Sequence, residues 1–127
     1  MGQYHRVANH TQKVYINAHG LGCGVKLWEM AVNRYSPGSA LLLLMAQDNG
    51  GGGGDVTPHP LVGSWAGDRI GVHGDYGSSP ESQAVWSDDS GYRDITEQVR
   101  EMMTECLDLV YSETEWGGWD YKEKWGD

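Results

Sequence analysis

The sequence has no phenylalanine, only two cysteines and no long apolar run, although it contains six tryptophans and seven tyrosines. Without an apolar stretch of bilayer length or a secretory signal, we expect a soluble, cytoplasmic protein that is not associated with a membrane. Cys23 and Cys106 are too few and too widely spaced for a thiol metal motif or a redox pair. We therefore expect two reduced, packed thiols.

Basic residues are also scarce, since nine Lys and Arg oppose 18 Asp and Glu and the formal net charge is −9. Nonspecific nucleic-acid binding needs basic side chains that neutralise phosphates, so direct nucleic-acid binding is not expected. A ligand for a basic surface on a partner protein remains compatible with this charge.

The residue patterns predict a single α+β domain over 1–112, followed by a Trp-rich acidic tail at 113–127. Alternating and turn-forming residues predict an antiparallel sheet built from hairpins at 3–17 and 61–76, with another strand near 83–87. This arrangement would give the domain one core, which suits the length of 127 residues.

Two helices complete the predicted fold. Residues 40–47 are apolar on all sides after a good N-cap at Ser39, which predicts a short buried helix. Residues 95–111 have apolar side chains at helical spacing and predict an amphipathic C-terminal helix that covers one face of the sheet.

The hairpin predicted at 61–76 holds the densest group of candidate ligand-binding side chains, namely Trp65, Asp68, Arg69, His73 and Asp75. With a three-residue turn, Trp65 would face Arg69 and two glycines would face each other, which leaves backbone bare for a flat ligand. The alternative is that another element of the same protein packs on these glycines. The pairing depends on the strand register, because a slip of one residue exchanges the two faces.

No cofactor and no metal site is predicted. Histidines and carboxylates such as His59, His73, Asp55 and Asp75 lack the spacing of known metal motifs. Asp68, His73 and Asp75 are the residues that a small hydrolase would use, although the sequence alone does not bring their side chains together. Cys23 lies close to His19 in a glycine-rich loop and is a candidate nucleophile, although a buried or incidental cysteine is the more common case.

The tail contains Trp116, Trp119 and Trp125, with Gly117-Gly118 as a favoured hairpin turn that would pair Glu113 with Lys122. We expect these rings to dock on the core, and a homo-oligomer contact is the alternative. An acidic interaction module that acts through the C-terminal helix and this tail is a further hypothesis.

Three segments resemble a family of small uncharacterised proteins from bacteria and their phages. They read MGQY at 1–4, GSWAGDRI at 63–70 and GDY at 74–76. The likeness covers most of residues 1–110 and does not extend into the tail. No activity is known for the family, so the resemblance assigns no catalytic residue. It implies a role in phage–host conflict.

These observations together favour a non-enzymatic binding protein that recognises a nucleotide-like ligand or a host protein. The small hydrolase is the alternative from another functional class.

Overall fold

The computed structural model describes residues 4–22, 26–31, 36–47, 57, 59–107, 109–115 and 119–123. The strands and helices are β1 (His5–Asn9), β2 (Val14–Ile16), α1 (Pro37–Met45), β3 (Ile70–Gly74), α2 (Pro80–Val85), β4 (Arg93–Asp94), α3 (Thr96–Leu107), β5 (Leu109–Glu113) and β6 (Trp119–Glu123). Two 3₁₀ turns, Ala18–Leu21 and Leu27–Met30, lie between β2 and α1. The predicted α+β class is confirmed. In this part of the chain no helix has both the length and the apolar character needed to cross a bilayer.

A four-stranded sheet in the order β3-β1-β2-β4 forms the centre of the fold. β1 is antiparallel to both β2 and β3. Its pairing with β2 confirms the hairpin predicted at 3–17. Asn9 closes its turn by accepting a hydrogen bond of 2.9 Å from the backbone N–H of Gln12. The sheet is mixed rather than wholly antiparallel, because β4 runs parallel to β2.

The hairpin predicted at 61–76 does not form. Residues 61–67 make successive turns, and β3 pairs with β1. The reason lies at the end of α1, whose last carbonyls lack partners within the helix. The backbone N–H groups of Gly63 and Trp65 satisfy two of them, at 2.9 Å from Leu43 O and 2.8 Å from Leu44 O.

Gly63 decides whether the glycines leave backbone bare for a ligand or are covered by the protein itself. Its φ is 81°, and a Cβ there would lie 2.6 Å from the carbonyl oxygen of Ala46. Another element of the same protein therefore packs against this glycine, as the alternative reading of the sequence supposed. The predicted Trp65–Arg69 pair is wrong, since Trp65 is drawn into the core and is 1% exposed.

Three other elements differ from the prediction. The strand expected at 83–87 is helix α2, because Ser79 caps its start and Pro80 occupies the first turn. α3 ends at Leu107 rather than 111, and β5 follows it. α1 spans Pro37–Met45 rather than 40–47, and its N-cap is Ser36 rather than Ser39. It is also not buried on all sides, since Leu42 is 77% exposed.

The core lies between one face of the sheet and helices α1 and α3. It is a single cluster of apolar side chains: Val7, Val14, Ile16, Ala18, Leu21, Met30, Ala40, Leu43, Leu44, Trp65, Val99, Met102, Met103 and Cys106. Burial raises the pKa of Cys106, with Glu105 contributing further, so this thiol stays protonated and packed as predicted. Cys23 lies outside the described residues.

The tail forms a hairpin with a register different from the predicted one. Glu113 pairs with Trp119, so the turn is longer than the expected Gly-Gly dipeptide. Trp119 docks on α3, where the guanidinium of Arg100 lies 3.6 Å from its ring centroid. Trp116 and Trp125, the other residues of the proposed oligomer contact, lie outside the described residues.

Candidate functional site

The face of the sheet opposite the core is polar. Directly paired residues of antiparallel strands share a face, and Arg6 pairs with His73 while Ala8 pairs with Gly71. His10 continues the alternation of Arg6 and Ala8 at the end of β1, where its N–H donates to the carbonyl of Arg69 at 2.8 Å. The strand pairing therefore brings His10 and His73 to one side of the sheet.

The two imidazoles meet through the same ring nitrogen. His10 Nε2 lies 2.8 Å from His73 Nε2, and the ring planes are 79° apart. A neutral imidazole has one N–H and one lone pair, so at most one proton can occupy the space between these two nitrogens. The side chain of His10 is only 7% exposed, which keeps bulk water away from this contact.

The other nitrogen of each ring is held by a hydroxyl. His10 Nδ1 lies 2.7 Å from the Tyr92 hydroxyl, and His73 Nδ1 lies 2.8 Å from Ser82 Oγ. Ser82 is held in turn by Ser79, whose hydroxyl donates to Ser82 Oγ at 3.0 Å. These contacts fix the orientation of both rings and aim both Nε2 atoms at the same point.

Helix α2 adds a carboxylate to the cluster. Ser79 caps the helix and places Glu81 in its first turn, where Glu81 Oε2 lies 3.9 Å from His10 Nε2. Arg69 forms an ion pair with the other oxygen of Glu81. One ligand atom each from His10, His73 and Glu81 lies within 4.8 Å of the others. We call these three residues the His–His–Glu cluster.

Charge and burial set the protonation of the cluster. Burial, followed by the neighbouring His10, lowers the pKa of His73 below its ordinary value of 6.5. A hydrogen bond from Arg69 lowers the pKa of Glu81. Near neutral pH the cluster therefore has a neutral His73 and an ionised Glu81.

Gly71 lies beneath the point where the two imidazoles meet. A Cβ at this position would lie 2.8 Å from His73 Nε2 and 3.3 Å from His10 Nε2. The missing side chain is therefore what allows both rings to converge over β3.

The structure places the five predicted site residues in different surroundings. Trp65 is in the core, Asp68 accepts hydrogen bonds from Asn9 and Gln12 at 2.8 Å each, and Asp75 accepts one from the Tyr4 N–H at 3.0 Å. Only Arg69 and His73 reach the His–His–Glu cluster.

Sequence reasoning missed His10 and Glu81. The available signals were the alternation that carries His10 along β1 and the Ser79-Pro80-Glu81 helix start. Neither signal states that the two segments meet, because that contact depends on the β1–β3 pairing.

Comparison of the chain with protein-family models, curated proteins and solved structures gives no match. The chemistry of the cluster therefore follows from its donor atoms alone. Two imidazole nitrogens and a carboxylate oxygen form a donor set that suits zinc and neighbouring divalent transition metals. The same groups also suit proton transfer, since imidazole and carboxylate are common general acids and bases.

Proposed function

We propose that this protein binds a divalent transition-metal ion, with Zn²⁺ the best fit, through His10, His73 and Glu81. The observation that carries the proposal is the convergence of the two Nε2 atoms while both Nδ1 atoms are held by hydroxyls. Metal-binding histidines typically use one ring nitrogen for the metal and donate from the other to a fixed oxygen. Tyr92 and Ser82 provide these two oxygens.

Metal binding would require all three ligand atoms to shift. Two nitrogen ligands of a tetrahedral zinc ion lie about 3.3 Å apart, given Zn–N bonds of about 2.0–2.1 Å. The Nε2 atoms, now 2.8 Å apart, would separate by roughly half an ångström. Glu81 Oε2, at 3.9 Å from His10 Nε2 and within 4.8 Å of both imidazole nitrogens, would have to approach both of them. Its side chain is 41% exposed, and its ion pair with Arg69 would shift with it.

The protonation state also supports metal binding. Metal ligands must be deprotonated, so protons compete with the ion. The lowered pKa of His73 reduces this competition near neutral pH, where Glu81 is already ionised. Arg69 has two opposing effects on metal binding. It favours the ionised form of Glu81, but its ion pair also competes with the metal for the carboxylate.

A hydrolase is the second candidate function. Three protein ligands leave a fourth position of a tetrahedral ion for water, which is the arrangement of catalytic rather than structural zinc. Of the three residues that the sequence suggested for a hydrolase, this proposal retains His73. It replaces Asp68 and Asp75, which are bonded elsewhere, with His10 and Glu81.

A role in phage–host conflict, through a host protein or a nucleotide-like ligand, stays a proposal that rests on the sequence resemblance. A cytoplasmic location belongs with it. Trp65 is no longer part of the proposed ligand site, because a side chain that is 1% exposed cannot stack on a ligand. Arg69, whose side chain is 64% exposed beside the cluster, is the group that a ligand would meet.

Calorimetric titration of chelator-treated protein with Zn²⁺ tests the metal proposal. We expect one ion per chain for the wild type. His10→Ala and His73→Ala should each weaken binding by more than about 100-fold, beyond the loss typical of outer-shell changes. Co²⁺ should give the visible absorption of a four-coordinate ion, which both variants lose.

His59→Ala is the matched control. His59 pairs with Glu105 on α3 at 3.3 Å, away from the cluster, so the variant should bind Zn²⁺ like the wild type. Absence of saturable Zn²⁺ binding, or equal affinity in His73→Ala and His59→Ala, would refute the metal site.

A further inference from the structure

Arg6 projects from the polar face of β1 and is enclosed by two aromatic rings. Its guanidinium carbon lies 4.3 Å from the centroid of Tyr15 and 3.9 Å from that of Trp86. Stacking of this kind holds the planar guanidinium in place. With two aromatic rings stacked against it, the guanidinium forms hydrogen bonds through the nitrogen atoms at its edge.

The edge of Arg6 is only partly used by the protein. Nη1 donates to the carbonyl of Val85 at the end of α2, at 3.0 Å. Nε is buried and has no hydrogen-bond partner in the structure. Among the described residues, no carboxylate forms an ion pair with Arg6. A guanidinium stays charged at every physiological pH, so within the described part of the chain this permanent cation has no carboxylate partner.

A cavity of about 120 Å³ opens beside Arg6. It is lined by Tyr4, Arg6, Asn17, His19 and Trp86. The side-chain oxygen of Asn17 accepts a hydrogen bond of 3.2 Å from the N–H of His19, which leaves the amide NH₂ to donate. The lining thus offers a cation, amide, hydroxyl and imidazole groups, and none of these five side chains carries a negative charge.

We infer that this cavity binds a phosphate group, with Arg6 as its charge partner. A guanidinium edge matches the oxygens of a phosphate, and bonds between ionised groups are stronger than neutral ones. Tyr4 and Asn17, which also line the cavity, carry further donor groups. The shared chemistry is the phosphate dianion, whether it comes from free inorganic phosphate or from a nucleotide.

The site is separate from the His–His–Glu cluster and does not depend on a metal. Arg6 is the direct cross-strand neighbour of His73, but its guanidinium is turned toward Trp86, whose indole N–H donates to the carbonyl of His73 at 2.9 Å. Arg6 also stabilises the fold, because a cation at the last carbonyls of a helix is favourable. Dependence on an added anion distinguishes ligand binding from this structural role.

Titration with sodium phosphate tests the inference, at constant ionic strength set with chloride. The chelator-treated protein should be used in a His10→Ala, His73→Ala background, so that no phosphate binds through a metal. We expect saturable calorimetric binding and a higher Tm in phosphate than in chloride. Arg6→Met, which keeps the alkyl stem but not the charge, should weaken binding at least tenfold.

Two further variants keep the inference falsifiable if Arg6→Met folds poorly. Tyr4→Phe removes one donor from a side chain that is 50% exposed, so it should fold normally and bind phosphate several-fold more weakly. Arg93→Met removes a cation from an exposed position on β4 and should bind phosphate like its parent. Equal binding by Tyr4→Phe, Arg6→Met and Arg93→Met would overturn the inference.

Absence of saturable binding up to about 10 mM, well above a millimolar Kd, would also overturn it. Comparison of phosphate with adenosine monophosphate then separates the two sources. At least tenfold tighter binding of the nucleotide, lost in Arg6→Met, identifies a nucleotide phosphate. Equal or weaker nucleotide binding identifies free phosphate.

Discussion

The Nε2 atoms of His10 and His73 lie 2.8 Å apart, although the two residues are 63 positions apart in the chain. The contact follows from the β1–β3 register, which places His73 opposite Arg6 and Gly71 opposite Ala8. Hydroxyls from two other segments then fix the two rings. The site therefore depends on the fold, and each contact that positions the two rings can be tested by substitution.

Removal of the Tyr92 hydroxyl should weaken metal binding without unfolding the protein. Tyr92→Phe removes the oxygen that holds His10 Nδ1 at 2.7 Å. Outer-shell changes of this kind typically cost about 10–100-fold in metal affinity. Zn²⁺ titration measures the loss, and Tyr76→Phe, at a ring that is 68% exposed, should show none. Unchanged affinity in Tyr92→Phe would mean that the hydroxyl does not orient a metal ligand.

A methyl group at Gly71 should disturb the cluster directly. Gly71→Ala places a Cβ 2.8 Å from His73 Nε2, so the two rings must move apart. We expect Zn²⁺ affinity to fall at least tenfold, or by about 1.4 kcal/mol. Gly67→Ala is a contrasting control, because Gly67 has open space around it but a φ of 82°. It should lose about 1 kcal/mol of stability and keep its metal affinity. The reverse pattern would contradict our account of the site.

Loss of the Trp65 indole should affect stability far more than loss of the Trp28 indole. Trp65 is 1% exposed within the core, whereas Trp28 is 77% exposed. Trp65→Ala should lower the free energy of unfolding by about 3–5 kcal/mol because it creates a cavity. Trp28→Ala should stay within about 0.5 kcal/mol. Urea unfolding measures both values. A small effect of Trp65→Ala would mean that the indole is not packed in the core and is again a candidate for ligand binding.

Acid should destabilise the metal-free protein through His73. The folded state lowers the pKa of His73 below 6.5, chiefly through burial. As the pH falls, the unfolded chain binds the proton first, so this contribution is present above pH 6.5 and is lost below it. Urea unfolding with chelator present, between about pH 5 and about pH 8, should show the decline. His73→Gln should flatten it, and an unchanged slope in that variant would assign the decline to other groups.

Local patterns in the sequence predicted much of the fold. The alternation of Val14 and Ile16 marked β2, and the spacing of Val99, Met102 and Met103 marked α3, because one face of each element is buried. Ser79-Pro80 is also a helix start, but the short apolar run at Val85 and Trp86 suggested a strand. Short apolar segments do not distinguish the two structures by periodicity.

The residues themselves determined the fold class, the acidic charge, the first hairpin and the buried thiol of Cys106, since these follow from composition and from contacts near in sequence. Only the tertiary structure decided that β3 pairs with β1, that Trp65 packs under α1, and that His10, His73 and Glu81 meet. The physical reason is that strand pairing depends on distant backbone donors and acceptors. The N–H groups of Gly63 and Trp65 bond to the carbonyls of Leu43 and Leu44 at the end of α1, and β3 pairs with β1.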